Sequence, residues 1–213
     1  MRQAVHRTHN AGVKVSIGPL TSDLADELGP VLAAWLGGNF ERGFAMNLDA
    51  LLAPRPDCLV AVARDELDEP VAFARFAVCA GGRILTLDVA PRRRDAPNGV
   101  VERLVVEMVE HGRANGAVEV SLNFAGLRRV FESRSPLARV ATLGIRLFDP
   151  WIELWPLYRF CAKFRPDWRP RLLLVRSWPD LVPVAVAALT AEFGHRAAEP
   201  PELAEAQVCG GVS

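Results

Sequence analysis

The sequence predicts a mixed α/β domain, an open sheet with helices packed against it. Three observations carry that expectation. Two apolar segments, 58–64 and 71–78, flank a charged turn and read as a hairpin. A third apolar segment, 84–89, follows the Gly81-Gly82 turn. It leads through a basic loop, PRRRDAPNG, into a stretch whose apolar residues recur at helical spacing.

Each element can be justified in chain order. Residues 1–20 are polar, carry Gly12, Gly18 and Pro19, and read as an N-terminal connector. Thr21 or Ser22 can cap a helix whose apolar side is Leu24, Leu28, Val31, Leu32 and Trp35. Gly29 and Pro30 weaken its middle, and Gly37-Gly38 end it. Strands are expected at Cys58–Arg64, Val71–Val78 and Ile84–Val89, with Asp65–Pro70 as the hairpin turn. Val101, Leu104, Val105, Met108 and Val109 give a helix from about Val100 to Asn115, stopped by Gly116. Val118–Phe124 alternates as a strand, and 125–150 shows no clear period. Residues 151–164, WIELWPLYRFCAKF, are aromatic and basic, and Pro156 forbids one continuous helix across them. Arg171–Val175 reads as a strand and Leu181–Phe193 as a closing helix. The main domain therefore spans 21–193, and 194–213 reads as a disordered, small and acidic tail.

Composition narrows the function classes. A chain of 213 residues with 50% hydrophobic content can bury one sizeable core. Lysine plus arginine equals aspartate plus glutamate at 25 each, so no global field draws nucleic acid or anionic lipid. Local clusters remain, at Arg92–Arg94 and from Arg159 to Arg176. The four cysteines form no CxxC pair and no metal-ligand spacing with the four histidines, so free thiols and no metal are expected. No apolar run reaches the roughly 20 residues that span a bilayer. Ser121 has no histidine and acid pattern around it, which leaves a hydrolase triad unsupported.

The strand-to-helix passage is the most informative segment. A helix opening directly after a strand presents unpaired N–H groups and the positive end of its dipole. Arg92, Arg93 and Arg94 precede that opening at Asn98-Gly99, so phosphate is the natural ligand. The competing reading is a solvated basic loop.

Several ordered motifs resemble one family. They are RQAVHR at 2–7, ERGFAM at 41–46, LDVAPRRRDAPNG at 87–99, VSLNFA at 120–125 and LYRFCAKFRPDWRPR at 157–171. Together they resemble the phosphatidylglycerol lysyltransferases (multiple peptide resistance factors), including the mycobacterial type fused to a lysyl-tRNA synthetase. The resemblance covers about residues 2–176 and matches the second of the family's two tandem acetyltransferase-like (GNAT) folds. It implies a GNAT fold, a mixed sheet flanked by helices. It also implies aminoacyl-tRNA and phosphatidylglycerol as partners, with a membrane-embedded flippase and a first half-domain as further ones. No cofactor is implied. The expected location is the cytoplasm or the inner face of the plasma membrane.

The resemblance also implies residue roles. Asp88 matches the aspartate ending the family's strand, and Arg92 the second of two arginines after it; the first is Pro91 here. Asn98 and Gly99 match in place, as do Tyr158, Lys163 and Trp168. Cys161 stands where relatives carry lysine or asparagine. A family glutamate falls at Trp155, with Glu153 two residues earlier. The implied reaction is ester exchange, which needs a proton acceptor and positive or N–H groups facing an oxyanion. Asp88 and Glu153 suit the amino acid's ammonium groups, while Arg92 and Lys163 suit phosphate or the oxyanion. Arg93, Arg94, Arg165 and Asn123 complete the expected substrate site, and Asp88 and Arg92 are expected to share one cleft. Arg92–Arg94, Lys163, Arg165, Arg169 and Arg171 would then form one basic face. Trp151, Trp155 and Trp168 could meet headgroups, since indoles favour that zone.

Two alternatives stay open. One is an acyl-CoA-dependent N-acyltransferase of the same fold, for which DAPNG is a poor phosphate loop. The other is a degenerate, non-catalytic half that docks on a complete partner enzyme, which the departures at Pro91, Cys161 and Trp155 favour.

Overall fold

The computed structural model describes residues 2–37, 51–123, 154–170 and 174–187 except 182 and 185. Its contacts divide into two units. The larger comprises Met1–Asn39 and Leu51–Arg171, and the smaller Phe40–Ala50 and Leu172–Ser213.

The larger unit is built on a five-stranded sheet in the order β1-β2-β3-β4-β5. The strands are β1 (Lys14–Pro19), β2 (Cys58–Arg64), β3 (Pro70–Cys79), β4 (Ile84–Val89) and β5 (Glu119–Ser121). The first four form an antiparallel meander, and β5 returns parallel to β4 after the crossover helix α3 (Val100–Ala114). This is the acetyltransferase-like arrangement that the resemblance implied. Helix α1 is Arg2–Asn10, α2 is Ser22–Leu36 and α4 is Leu154–Ala162.

Strand alternation divides the core between the two faces. Ala61, Ala63, Ala72, Ala74, Phe76, Leu85 and Leu87 pack with Leu104, Val105 and Met108 of α3. Val60, Val62 and Phe73 point the other way, onto Leu28, Val31 and Leu32 of α2. Both helices begin where the sequence placed them. Thr21 caps α2 by accepting from Leu24 N at 3.3 Å, and Gly37 ends it at φ 58°. The hairpin turn is tied by Asp65, whose Oδ1 accepts from Leu67 N and Glu69 N.

Several expectations need correction. Residues 1–20 hold a helix and an edge strand: β1 pairs with β2 from Lys14↔Arg64 to Pro19↔Leu59. Most of their polar residues lie on exposed faces; Thr8 is buried with its hydroxyl donating to Val5 O, Val13 is buried, and Val15 and Ile17 pack on the α3-side core. Pro30 does not interrupt α2, and Trp35 stays 46% exposed rather than joining its apolar side. β5 is only three residues long, and Val118 is exposed ahead of it. Pro156 falls in the first turn of α4, where a missing N–H costs no helical bond.

In the smaller unit, Leu174 and Val175 lie in no strand, while Leu181, Pro183, Val184, Val186 and Ala187 are helical. The expected tail and the ERGFAM motif lie outside the described residues.

Candidate functional site

β4 and β5 pair only from Ile84↔Glu119 to Thr86↔Ser121. β4 continues to Val89, so Leu87–Val89 have no β5 partner, and Asn123 takes a left-handed φ of 68° as the chain leaves the sheet. The two parallel strands therefore part at their carboxyl ends, where α/β sheets characteristically receive ligands.

The α3 N-terminus lies at this end, and part of its first turn is already engaged, with Val100 N–H donating to Pro97 O. Glu102, in the first turn, accepts from its own backbone N–H, and its Oε1 sits 2.6 Å from Lys163 Nζ. Burial raises the Glu102 pKa, but the Lys163 hydrogen bond, the backbone bond and the charges of Lys163 and Arg92 outweigh it. They hold the carboxyl below its ordinary value. Helix α1 closes the same corner. Gly99 adopts φ 95°, and a Cβ there would lie 2.8 Å from Ala4 Cβ. Asn98 stays exposed beside it.

Asp88 has a different partner from the one expected. Arg75 lies 1% exposed on β3, and its Nε and Nη2 reach Asp88 Oδ2 at 2.8 and 2.5 Å. Its Nη1 donates to Leu51 O at 2.6 Å. This cluster is on the α2 face. Arg92 bridges Ala72 on the α3 face, and its charge acts on Glu102. Simple alternation would put residues 88 and 92 on one side. A bulge opposite Arg75, which pairs with Val89 while Phe76 pairs with Leu87, reverses the parity. Asp88 and Arg92 thus occupy opposite faces, correcting the shared cleft.

The single basic face is also corrected. Arg93 is paired with Asp95 at 2.7 Å, Lys163 with Glu102, and Arg169 with Glu119 at 2.9 Å. Arg94 extends toward Gly37, at the negative end of the α2 dipole. Arg92, Arg94 and Arg165 form no ion pair among the described residues. Arg171, Trp151 and Glu153 lie outside them.

The C-terminal motif folds onto itself and onto β5. Tyr158 and Trp168 stack with centroids 5.8 Å apart. Cys161 is buried, its thiol donates toward Leu122 O at 3.9 Å, and burial pushes its pKa up to about 11. The thiol therefore serves as core. Nearby, Asn123 Oδ1 is buried with no hydrogen-bond partner among the described residues. An open groove of about 860 Å³ runs between α3 and the turn after α4, with Lys163, Arg165 and Pro166 on its rim. Among the described residues, no three of His, Cys, Asp and Glu come together to hold a metal. None of the described helices is long and apolar enough to cross a membrane.

Sequence reasoning missed Arg75 and Glu102. Arg75 had a signal: a lone charge inside PVAFARFAV must be buried and therefore paired. Glu102, in the first turn of α3, suits the positive end of the helix dipole, but its partner Lys163 is 61 residues away.

Comparison with known proteins places this architecture. The family model described as phosphatidylglycerol lysyltransferase, C-terminal, matches residues 1–175. An MprF-like domain protein of Mycobacterium tuberculosis is 38% identical over 203 residues, covering 92% of this chain and 42% of that protein. The lysylphosphatidylglycerol biosynthesis bifunctional protein LysX of Mycobacterium leprae is 35% identical over 228 residues, covering 96% of this chain and 20% of that protein. This chain thus spans less than half of the first relative and a fifth of the second. The C-terminal domain of a lysylphosphatidylglycerol synthetase from Agrobacterium fabrum superposes with a TM-score of 0.70 at 26% identity, over 92% of this chain and 60% of that one.

Proposed function

The chain belongs to the phosphatidylglycerol lysyltransferase C-terminal family, and we propose that it moves an amino acid, lysine in the first instance, from aminoacyl-tRNA to phosphatidylglycerol. In that reaction a glycerol hydroxyl of the lipid attacks the ester carbonyl of the charged tRNA. The new ester forms, and the terminal ribose leaves with the proton that the lipid hydroxyl gave up. The parting of β4 and β5 supplies room for the ester, and Arg92 offers a cation with no ion pair among the described residues.

The observation that carries this reading over acyl-CoA transfer is the α3 N-terminus. A pyrophosphate would need the N–H groups of that first turn. The Glu102 carboxylate bonds its own N–H in that turn and is held by Lys163, Val100 N–H donates to Pro97 O, and Ala4 packs against Gly99.

A second reading has its own support. Asp88 is committed to Arg75, Pro91 replaces a family arginine and Cys161 packs as core. Those features favour a non-catalytic half that docks on a complete enzyme.

The test is to incubate the chain with radiolabelled lysyl-tRNA and phosphatidylglycerol vesicles, then extract the lipid. Labelled lipid that falls sharply with Arg92→Ala supports transfer. Absence of labelled lipid, with the chain folded, sinks the catalytic reading and leaves docking.

A further inference from the structure

The groove beside α3 plays no part in the chemistry above. Its floor is Val105 and Val109 of α3, Val120 of β5, and Leu122 and Phe164. Val109 keeps 42% exposure there, between the exposed charges of Glu110 and Arg113 on the same helix. The rim is polar and mostly cationic. Arg113 and Arg165 line it without ion pairs among the described residues, and Glu110 is its acidic member. Lys163 also lines it, already matched by Glu102. Arg165 is held at φ 52°, between Phe164 on the floor and Pro166 on the rim. Strain of this kind persists where surrounding structure fixes it, often at ligand clamps.

We infer that this groove holds an acyl chain of an anionic glycerophospholipid, with the phosphate at the arginines of its rim. The floor offers apolar contact and little hydrogen bonding, which suits an alkyl chain. The α3 part of it, from Val105 to Arg113, is ~12 Å long at the helical rise. Its volume, about 860 Å³, lies in the range of small-molecule sites. A stable protein partner would need roughly 20–30 residues on this side, far more than the groove presents. Excess arginine over glutamate selects an anionic head over a zwitterionic one. The assignment rests on the proposed lipid substrate and adds where its chain lies.

The test follows the valine and leucine methyls of the floor by NMR. Dihexanoyl phosphatidylglycerol, below its micelle concentration, should shift them saturably, and glycerol 3-phosphate should not. Val109→Asp, or Val109→Trp as an uncharged block, should weaken binding by about tenfold or more. Arg113→Glu with Arg165→Glu should remove the preference over dihexanoyl phosphatidylcholine. Methyls that do not move, equal binding of the choline lipid, or full binding by both Val109 variants would overturn the proposal. Lysine transfer by Val109→Trp at an unchanged lipid KM overturns the groove and leaves the transfer reaction standing. Saturable binding in the groove with no transfer by the unmodified chain does the reverse.

Discussion

Lys163 reaches back across 61 residues to place its Nζ 2.6 Å from Glu102 Oε1. The pair joins the turn after α4 to the first turn of α3, so a residue expected to touch substrate instead has a structural partner. Lys163 is 52% exposed, which screens the interaction.

That pairing predicts a pH effect. Glu102 is held below its unfolded pKa, so its contribution is fully present above that value and is lost as pH falls through the folded one. Glu102→Gln should cost about 0.5–1 kcal/mol near neutrality. The difference from the unmodified chain should vanish in acid. Urea unfolding at pH 7 and pH 3 checks this; an equal gap at both would refute it.

The Arg75–Asp88 pair predicts a large loss on breaking. Arg75→Met strands a carboxylate that is 17% exposed. Removing one partner of such a buried pair costs about 3–5 kcal/mol, the lower end applying here because Asp88 keeps some water. Asp88→Asn should also destabilise, because it takes the carboxylate partner from the buried Arg75 guanidinium, instead of affecting transfer alone. Thermal melts of both variants decide; a loss under about 1 kcal/mol in each would remove the pair from the core.

Gly99→Ala should destabilise for two separate reasons. The residue sits at φ 95°, and its new Cβ would meet Ala4 at 2.8 Å. Left-handed strain of this kind costs of order 1–3 kcal/mol. Adding Ala4→Gly should recover only part of the steric cost, because Ala4 Cα and O would still lie 3.0 Å from the new Cβ. Full recovery in a melting experiment would show that the backbone conformation costs nothing.

The thiols should differ in reactivity. Cys79 is exposed, whereas Cys58 and Cys161 are buried and burial raises both of their pKa values, that of Cys161 to about 11. Among the three described cysteines, iodoacetamide at pH 8 should label Cys79 first, and Cys58 and Cys161 only on unfolding. Peptide mass spectrometry reads the order; early labelling of Cys161 would place it outside the core.

Local signals carried much of the fold. The hairpin, β4 and α3 follow from period, turn residues and caps, because each depends on neighbours within a few positions. Residues 1–20 were misread because β1 hides a half-buried edge strand in a polar segment, and its pairing with β2 is a long-range event.

The sequence by itself determined β2, β3, β4, α2 and α3, the family and the motif order. Only the tertiary structure decided what each charge faces. Asp88 and Arg92 are four apart in one motif, and period-two alternation would put them together. One bulge opposite Arg75 reverses the alternation, sending Asp88 to the α2 face and Arg92 to the α3 face. The partners that fix these roles, Arg75 for Asp88 and Glu102 for Lys163, lie 13 and 61 residues away. Periodicity reports local geometry, whereas charge pairing depends on which distant segments the sheet brings together.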